Sequence, residues 1–422
     1  MEIHKKTLPN KMRIVSAPVS GTESLTVLVL FGVGSRYETA SERGVSHFLE
    51  HMFFKGTQKR QTAAEIAGLI DGVGGYLNAF TEKHDTGYYC KVSARHLDLA
   101  LDVIADALLH SKFEQGEVDK EVGAVLEEMK MYFDQPMAYI PELFESLLYG
   151  NHPLGWDTIG TEQTLKSMKR DDFLDYIKRF YTPDNAVIVV AGAINPEEVE
   201  KKVEQYFQFE GRKKAAGFLP AKYHQTKPQI LLQEKDTEQT HLVLGTRAYE
   251  IKHPNERALQ VLSQILGGPM SSRLFIAVRE NQGLAYHISS YIQQYEDAGH
   301  LMIHSGVNIE KTEQAIESVL QEMRRLKTEP VPEDELSRIK EYIKGKTALR
   351  MEDSEAVANY AAVQEMFRGN VRPLKEYFAE IDAVTSEDII AVAHELFIDK
   401  NLNLAVIGPF SNEAKFAKIL RF

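Results

Sequence analysis

One short stretch carries residue types and a spacing suited to hydrolytic chemistry. His47-Phe48-Leu49-Glu50-His51 sets two imidazoles four residues apart with a carboxylate between them. On a helix, residues four apart project from the same face. Two imidazole nitrogens can then converge on one zinc ion at about 2.0–2.1 Å. Glu50, three residues after His47, borders that face, where it could hold a metal-bound water and take its proton. The bland alternative is a helix with two histidines that are solvated or satisfied in a core.

A catalytic zinc needs a third protein ligand and an open position. Residues 117–132 read EVDKEVGAVLEEMKMY, a strongly helical, acidic stretch. Glu121 and Glu128 are seven residues apart and share one stripe, while Glu127 is rotated by about 100°. The spacing leaves open which stripe faces the histidines. The single cysteine, Cys90, permits no intrachain disulfide and no Cys-rich zinc module, so a metal must be held by His, Asp or Glu.

The elements that must position these residues come in two copies. Residues 171–192, DDFLDYIKRFYTPDNAVIVVAG, align without gaps with residues 387–408, EDIIAVAHELFIDKNLNLAVIG, at an offset of 216. Each reads as a capped amphipathic helix, a turn and a buried strand. A weaker match at an offset of 214 relates Ser41-Glu42-Arg43 to Asn255-Glu256-Arg257. At that offset His47, Glu50 and His51 map to Val261, Gln264 and Ile265, so the second copy cannot bind zinc there. Strands are predicted at 13–18, 25–33, 75–82, 86–92 and 186–193. Helices are predicted at 44–54, 63–73, 96–110, 115–133, 140–149 and 169–180. The mixed order favours an α+β fold: two homologous α/β-sandwich domains from a tandem duplication. The expected division is a zinc-binding domain at 1–209, a polar linker at 210–228 and a metal-free domain at 229–422.

Composition narrows the function class. The 422 residues are 43% hydrophobic and 26% charged, which excludes a disordered or fibrous chain. The net charge of −12, from 49 basic and 61 acidic residues, argues against a nucleic-acid partner. The first ten residues, MEIHKKTLPN, hold no apolar leader segment, and the apolar runs at 25–33 and 186–193 are too short to span a bilayer. A cytoplasmic protein without membrane attachment is the expectation.

Three segments together resemble the M16 family of zinc metallopeptidases: the histidine motif (the H-x-x-E-H arrangement of inverzincins), EEMKMYFDQP, and GGYLNAFTEKHDTGYY. The resemblance spans nearly the whole chain, including the duplication, and short bacterial members similar to the mitochondrial processing peptidase match it in length. It implies a zinc ligand 77 residues after the second histidine, which is Glu128, and a supporting carboxylate seven residues earlier, which is Glu121. It implies an Arg and a Tyr seven apart that contact substrate, here Arg279 and Tyr286 within GGPMSSRLFIAVRENQGLAY. Both are donors suited to a peptide carbonyl or a developing oxyanion. It also implies an edge strand carrying Asn78, Ala79 and Phe80, to which substrate adds as a further strand through backbone hydrogen bonds.

Two departures from the family pattern stand out. Asn10 is followed by Lys11 where an Asn-Gly turn is common. The acidic residues that select a basic side chain are only partly matched near Ala138 and Glu142. His84, His152 and Trp156 are assigned structural roles. The expectation is therefore a zinc endopeptidase with one zinc per chain on His47, His51 and Glu128. Glu50 is its general base, and extended peptides are its substrates. A homodimer, or a pair with a related chain, would enclose the site. The rival reading is a non-catalytic partner or scaffold subunit. A metal hydrolase acting on non-peptide substrates is a third, disfavoured by the edge strand.

Overall fold

A computed structural model of the chain describes residues 2–209, 214 and 217–422. Of the expected linker, residues 210–213 and 215–216 lie outside the described residues. The fold is the expected duplicated α+β sandwich, and each copy is built on its own sheet.

The first sheet contains β1 (His4–Thr7), β2 (Arg13–Pro18), β3 (Ser24–Phe31), β4 (Tyr76–Thr81), β5 (Thr86–Ser93) and β6 (Ala186–Gly192). Their order is β1-β2-β6-β3-β5-β4. β2 runs parallel to β6, with Arg13 opposite Val187, and the other pairs are antiparallel. β4 is thus an edge strand. β1 was not anticipated, because its alternating HKKT lacks an apolar run. The β1–β2 turn places Lys11 at φ 71°, a left-handed conformation that a glycine would adopt at less cost.

The second sheet contains β7 (Gln229–Glu234), β8 (Thr240–Arg247), β9 (Ala285–Gln294), β10 (Gly299–Val307) and β11 (Asn403–Gly408). Its order is β7-β11-β8-β10-β9. β11 takes the place of β6: it is parallel to β7 on one side and antiparallel to β8 on the other. This equivalence matches the 216-residue repeat.

The helices of the first half are α1 (Val45–Met52), α2 (Ala63–Asp71), α3 (Leu97–His110), α4 (Gln115–Asp134) and α5 (Pro136–Tyr149). The first core joins α1, α3 and α4 to one face of the first sheet, through Phe48, Leu49, Leu101, Ile104, Val125, Val27, Val29 and Ile188. β3 and β6 are buried on both faces, which is why they read as continuous apolar runs rather than alternating ones.

The compact units exchange two segments relative to the expected halves. One unit comprises the chain up to Lys130, Trp156–Leu219 and Ala348–Leu374; the other comprises Met131–Gly155, Pro220–Thr347 and Lys375–Phe422. The cause is that each sheet needs its second face covered. The helix Ser354–Arg368 sets Val357, Ala358, Ala361 and Ala362 against Val15, Leu28, Leu30, Val187 and Val189 of the first sheet. Its small alanines allow close approach. Glu365, fully buried on that helix, pairs with Lys5 at 2.6 Å. Conversely, α5 sets Ile140, Phe144 and Leu148 against Val243, Ala405 and Ile407 of the second sheet. Gly245 makes room there: a Cβ would lie 2.6 Å from the Phe144 ring.

Candidate metal centre

α1 is positioned by a buried carboxylate at its start. Glu38 accepts hydrogen bonds from the backbone N–H groups of Gly44 at 2.8 Å and Ser46 at 2.9 Å. An anion at a helix N-terminus satisfies orphan donors and complements the dipole. Burial nonetheless pushes the Glu38 carboxyl up to about 7. Gly44 itself has φ 90°, and a Cβ there would lie 2.5 Å from the Ile159 carbonyl oxygen. The helix buries Val45, Phe48, Leu49 and Met52 and leaves His47, Glu50 and His51 on the remaining face.

α4 turns the stripe of Glu121 and Glu128 towards the histidines. It buries Val118, Glu121, Val125 and Met129. Glu128 lies on the stripe of Glu121, and its two carboxylate oxygens are 3.6 Å from His47 Nε2 and 3.5 Å from His51 Nε2. Glu127 instead points to solvent, 73% exposed, and pairs with Lys130 at 2.7 Å. Ligand atoms of His47, His51 and Glu128 all lie within 4.8 Å of one another, and these three form the one such group among the described residues.

The donor set fits zinc. Two imidazoles and one carboxylate make a three-ligand set of the catalytic kind, which leaves a fourth position open. Glu121 accepts from His51 Nδ1 at 2.9 Å, which leaves the lone pair on Nε2, the nitrogen that faces Glu128. Lys55 donates to the other Glu121 oxygen at 2.5 Å. His47 Nδ1 is buried without a hydrogen-bond partner among the described residues.

The electrostatics follow from these contacts. Burial would lower the pKa of His51, but its hydrogen bond with Glu121 and the charges of Glu128, Glu121 and Glu50 outweigh burial and raise it. Burial would raise Glu121, but His51 and Lys55 hold it below its ordinary value. The proximity of His47 holds Glu128 low against the opposing effect of burial.

Glu50 is tied to the edge strand. Thr81 Oγ1, at the end of β4, donates to Glu50 Oε2 at 2.6 Å. On the same strand Asn78 is exposed, while Ala79 packs towards the first core. The Phe80 ring occupies the space above Gly87, where a Cβ would lie 2.3 Å from it. Sequence reasoning missed two partners, Thr81 and Lys55. Lys55 had a faint signal, since it follows His51 by four residues.

Arg279 and Tyr286 come together in the second unit. Arg279 Nη1 donates to the Tyr286 carbonyl oxygen at 2.6 Å, and its guanidinium lies 5.2 Å from the Tyr286 ring. The Tyr286 side chain is 76% exposed. Val261 and Ile265, the counterparts of His47 and His51, are fully buried in the second core. His84 stacks on Phe367 at 4.1 Å, His152 Nδ1 accepts from the Leu154 N–H, and the Trp156 ring faces the Arg43 guanidinium at 5.0 Å.

Comparison with known proteins matches residues 13–162 to Insulinase (Peptidase family M16) and residues 167–343 to Peptidase M16 inactive domain. An uncharacterized zinc protease of Bacillus subtilis is 41% identical over 411 residues, 97% of this chain and 99% of the relative. The chain belongs to the M16 peptidase family. Another M16 relative, an uncharacterized zinc protease of Mycobacterium leprae, is 34% identical over 420 residues, covering 99% of this chain and 94% of the relative. Among solved structures, a protease from Helicobacter pylori superposes with a TM-score of 0.91 at 25% identity, covering 97% of this chain and 99% of that one. A Pseudomonas fluorescens structure described as a peptidase M16 inactive domain shares the fold with a TM-score of 0.89 at 18% identity, over 97% and 98% of the two chains. Within the M16 frame, the inactive-domain match begins at residue 167 in the first half and extends through Val261, Gln264 and Ile265, which stand where the motif would recur. Among the described residues no helix is long and apolar enough to cross a membrane.

Proposed function

We propose that this M16 chain is a zinc-dependent endopeptidase that cuts extended peptides or unfolded segments. The observation that carries the reading is the convergence of His47, His51 and Glu128 within 4.8 Å, with Glu50 on the same helix face. The relatives' description as zinc proteases supports it.

His47 and His51, through Nε2, and Glu128, through its carboxylate, would hold one zinc per chain. Zinc, when bound, supplies a Lewis acid that acidifies water and polarises a carbonyl. Glu50 takes the proton of the attacking water and returns it to the leaving amine. Thr81 keeps the Glu50 carboxylate turned towards β4. Substrate adds to the open edge of β4, beside Asn78, Ala79 and Phe80, through backbone hydrogen bonds that are largely blind to sequence. Arg279 and Tyr286 donate to the substrate carbonyl as negative charge develops there. A two-fold homodimer, or a pairing with a related chain, would enclose the site in a chamber. The cytoplasm is the proposed compartment.

The test is zinc content measured together with cleavage of a mixed peptide library. Cleavage by the zinc-loaded protein that disappears in Glu50→Gln supports the reading. A zinc-loaded wild type that leaves every peptide intact, tested as the assembled dimer, would sink it.

A further inference from the structure

Three histidines of the second unit stand on one sheet face around a position that has no side chain. His241 on β8 is opposite Gly306 on β10, and Gly306 is opposite His287 on β9. Residues directly opposite in a sheet share a face, and residues two apart on a strand do too. His304, two residues before Gly306, therefore joins the other two. Their face is the one that carries Val243, not the core face of Leu242 and Leu244.

The rings lean towards one another. A Cβ on Gly306 would lie 3.9 Å from the His241 ring, so that imidazole overhangs the glycine. The rings of His287 and His304 are 5.6 Å apart. His304 is only 8% exposed and its Nε2 is buried without a hydrogen-bond partner among the described residues; the same is true of His241 Nδ1. Buried imidazole nitrogens without partners are uncommon, because their desolvation is uncompensated. His287 Nε2 lies 2.9 Å from Ser289 Oγ. With Nε2 donating to that hydroxyl, the lone pair sits on Nδ1.

We propose that His241, His287 and His304 form a second metal site, selective for divalent late transition metals of the copper and zinc class. The donor set decides the class. Three neutral imidazoles suit copper and zinc and offer nothing to magnesium or calcium, which need oxygen ligands. Burial lowers the pKa of all three, taking His304 down to about 4, so each is in the ligating form at neutral pH. The charge of Arg279 bears on His287 and opposes any cation held by charge alone. Affinity must then come from nitrogen coordination. Capture requires the imidazoles to turn about their side-chain torsions, since their nitrogens are not within the 4.8 Å spacing of the first centre. Gln239 Oε1, 3.0 Å from where a Gly306 Cβ would stand, borders that space, so its flexible side chain has to swing aside as the imidazoles turn.

The probe is Cu2+ added to the full chain carrying His47→Ala and Glu128→Ala, which removes the first centre. One Cu2+ per chain should bind, with nitrogen splitting in its electron paramagnetic resonance spectrum, and excess Mg2+ should not displace it. His304→Ala should abolish that signal. His241→Asn and His287→Asn, at less buried positions, guard against a folding defect in His304→Ala. Each should weaken Cu2+ by more than the roughly 10–100-fold typical of losing an outer partner of a metal ligand. Unchanged binding in all the histidine variants, or a folded parent that takes up no Cu2+, would overturn the proposal.

Discussion

Thr81 Oγ1 donates to Glu50 Oε2 at 2.6 Å, linking the last residue of the edge strand to the carboxylate between the two motif histidines. The strand proposed to receive substrate and the group proposed to move the proton are thus mechanically coupled. Thr81→Val should keep zinc and fold but lower kcat by about 10-fold, and Thr81→Ser should restore it. Glu50→Gln should lower turnover by the roughly 10²- to 10⁴-fold of a lost general base. Steady-state peptide kinetics with parallel zinc analysis checks both.

The ligand assignment is tested by metal content. His47→Ala and Glu128→Ala should purify without zinc. Glu127→Gln should remain loaded and active, because its side chain is solvated and paired with Lys130. Glu121→Gln should retain zinc with roughly 10- to 100-fold weaker affinity, since it only orients His51. Competition with a chromophoric chelator measures all four. Equal zinc loss in Glu127→Gln and Glu128→Ala would mean that the wrong stripe was chosen.

Acid should destabilise the first unit through His84. Burial, assisted by the charge of Arg36, pushes this imidazole down to about 3. In the unfolded chain it titrates near 6.5. Between those values the unfolded state binds a proton that the folded state refuses, so stability is full above pH ~6.5 and falls with pH below it. One such group contributes about 1.4 kcal/mol per pH unit. His84→Gln should flatten the acid side of a urea-unfolding series measured from pH 7 to pH 4. An unchanged slope would show that His84 does not control it.

The pairing of chains can be tested by mixing two inactive variants. Glu50→Gln lacks the proposed proton carrier, and Arg279→Ala/Tyr286→Ala lacks the proposed donors of the second unit. If the donors serve the partner's zinc site, mixed dimers regain one intact site and activity returns. No recovery, with subunit exchange verified by mass spectrometry, would count against action across the interface.

The exchanged helix predicts what a fragment will do. Residues 1–209 alone lack the helix Ser354–Arg368 and would expose Val15, Leu28, Leu30, Val187 and Val189. Each such side chain contributes about 1.5–3 kcal/mol by burial, so the loss is comparable to a domain's whole stability of about 5–15 kcal/mol. The fragment should aggregate or bind a hydrophobic dye, and co-expression of residues 344–374 should relieve this. A soluble 1–209 with a cooperative thermal transition would contradict the prediction.

What was legible in the sequence was local. The i, i+4 histidines, the strongly helical α4 and the buried runs of β3 and β6 each declare themselves within a few residues, because helix period and apolar continuity are short-range properties. The repeat at 216 residues revealed the duplication because equivalent positions of β6 and β11 face the same burial. The choice between the Glu127 and Glu128 stripes was different: resemblance pointed to Glu128, and it is the docking of α4 against α1 that brings the Glu128 carboxylate beside the histidines, with Glu121 behind His51. The same holds for Thr81 against Glu50, which joins residues 31 positions apart. The reciprocal exchange of α5 and the helix Ser354–Arg368 had no local signal at all. An amphipathic helix states that it has an apolar face, and only three-dimensional packing decides which sheet that face will cover.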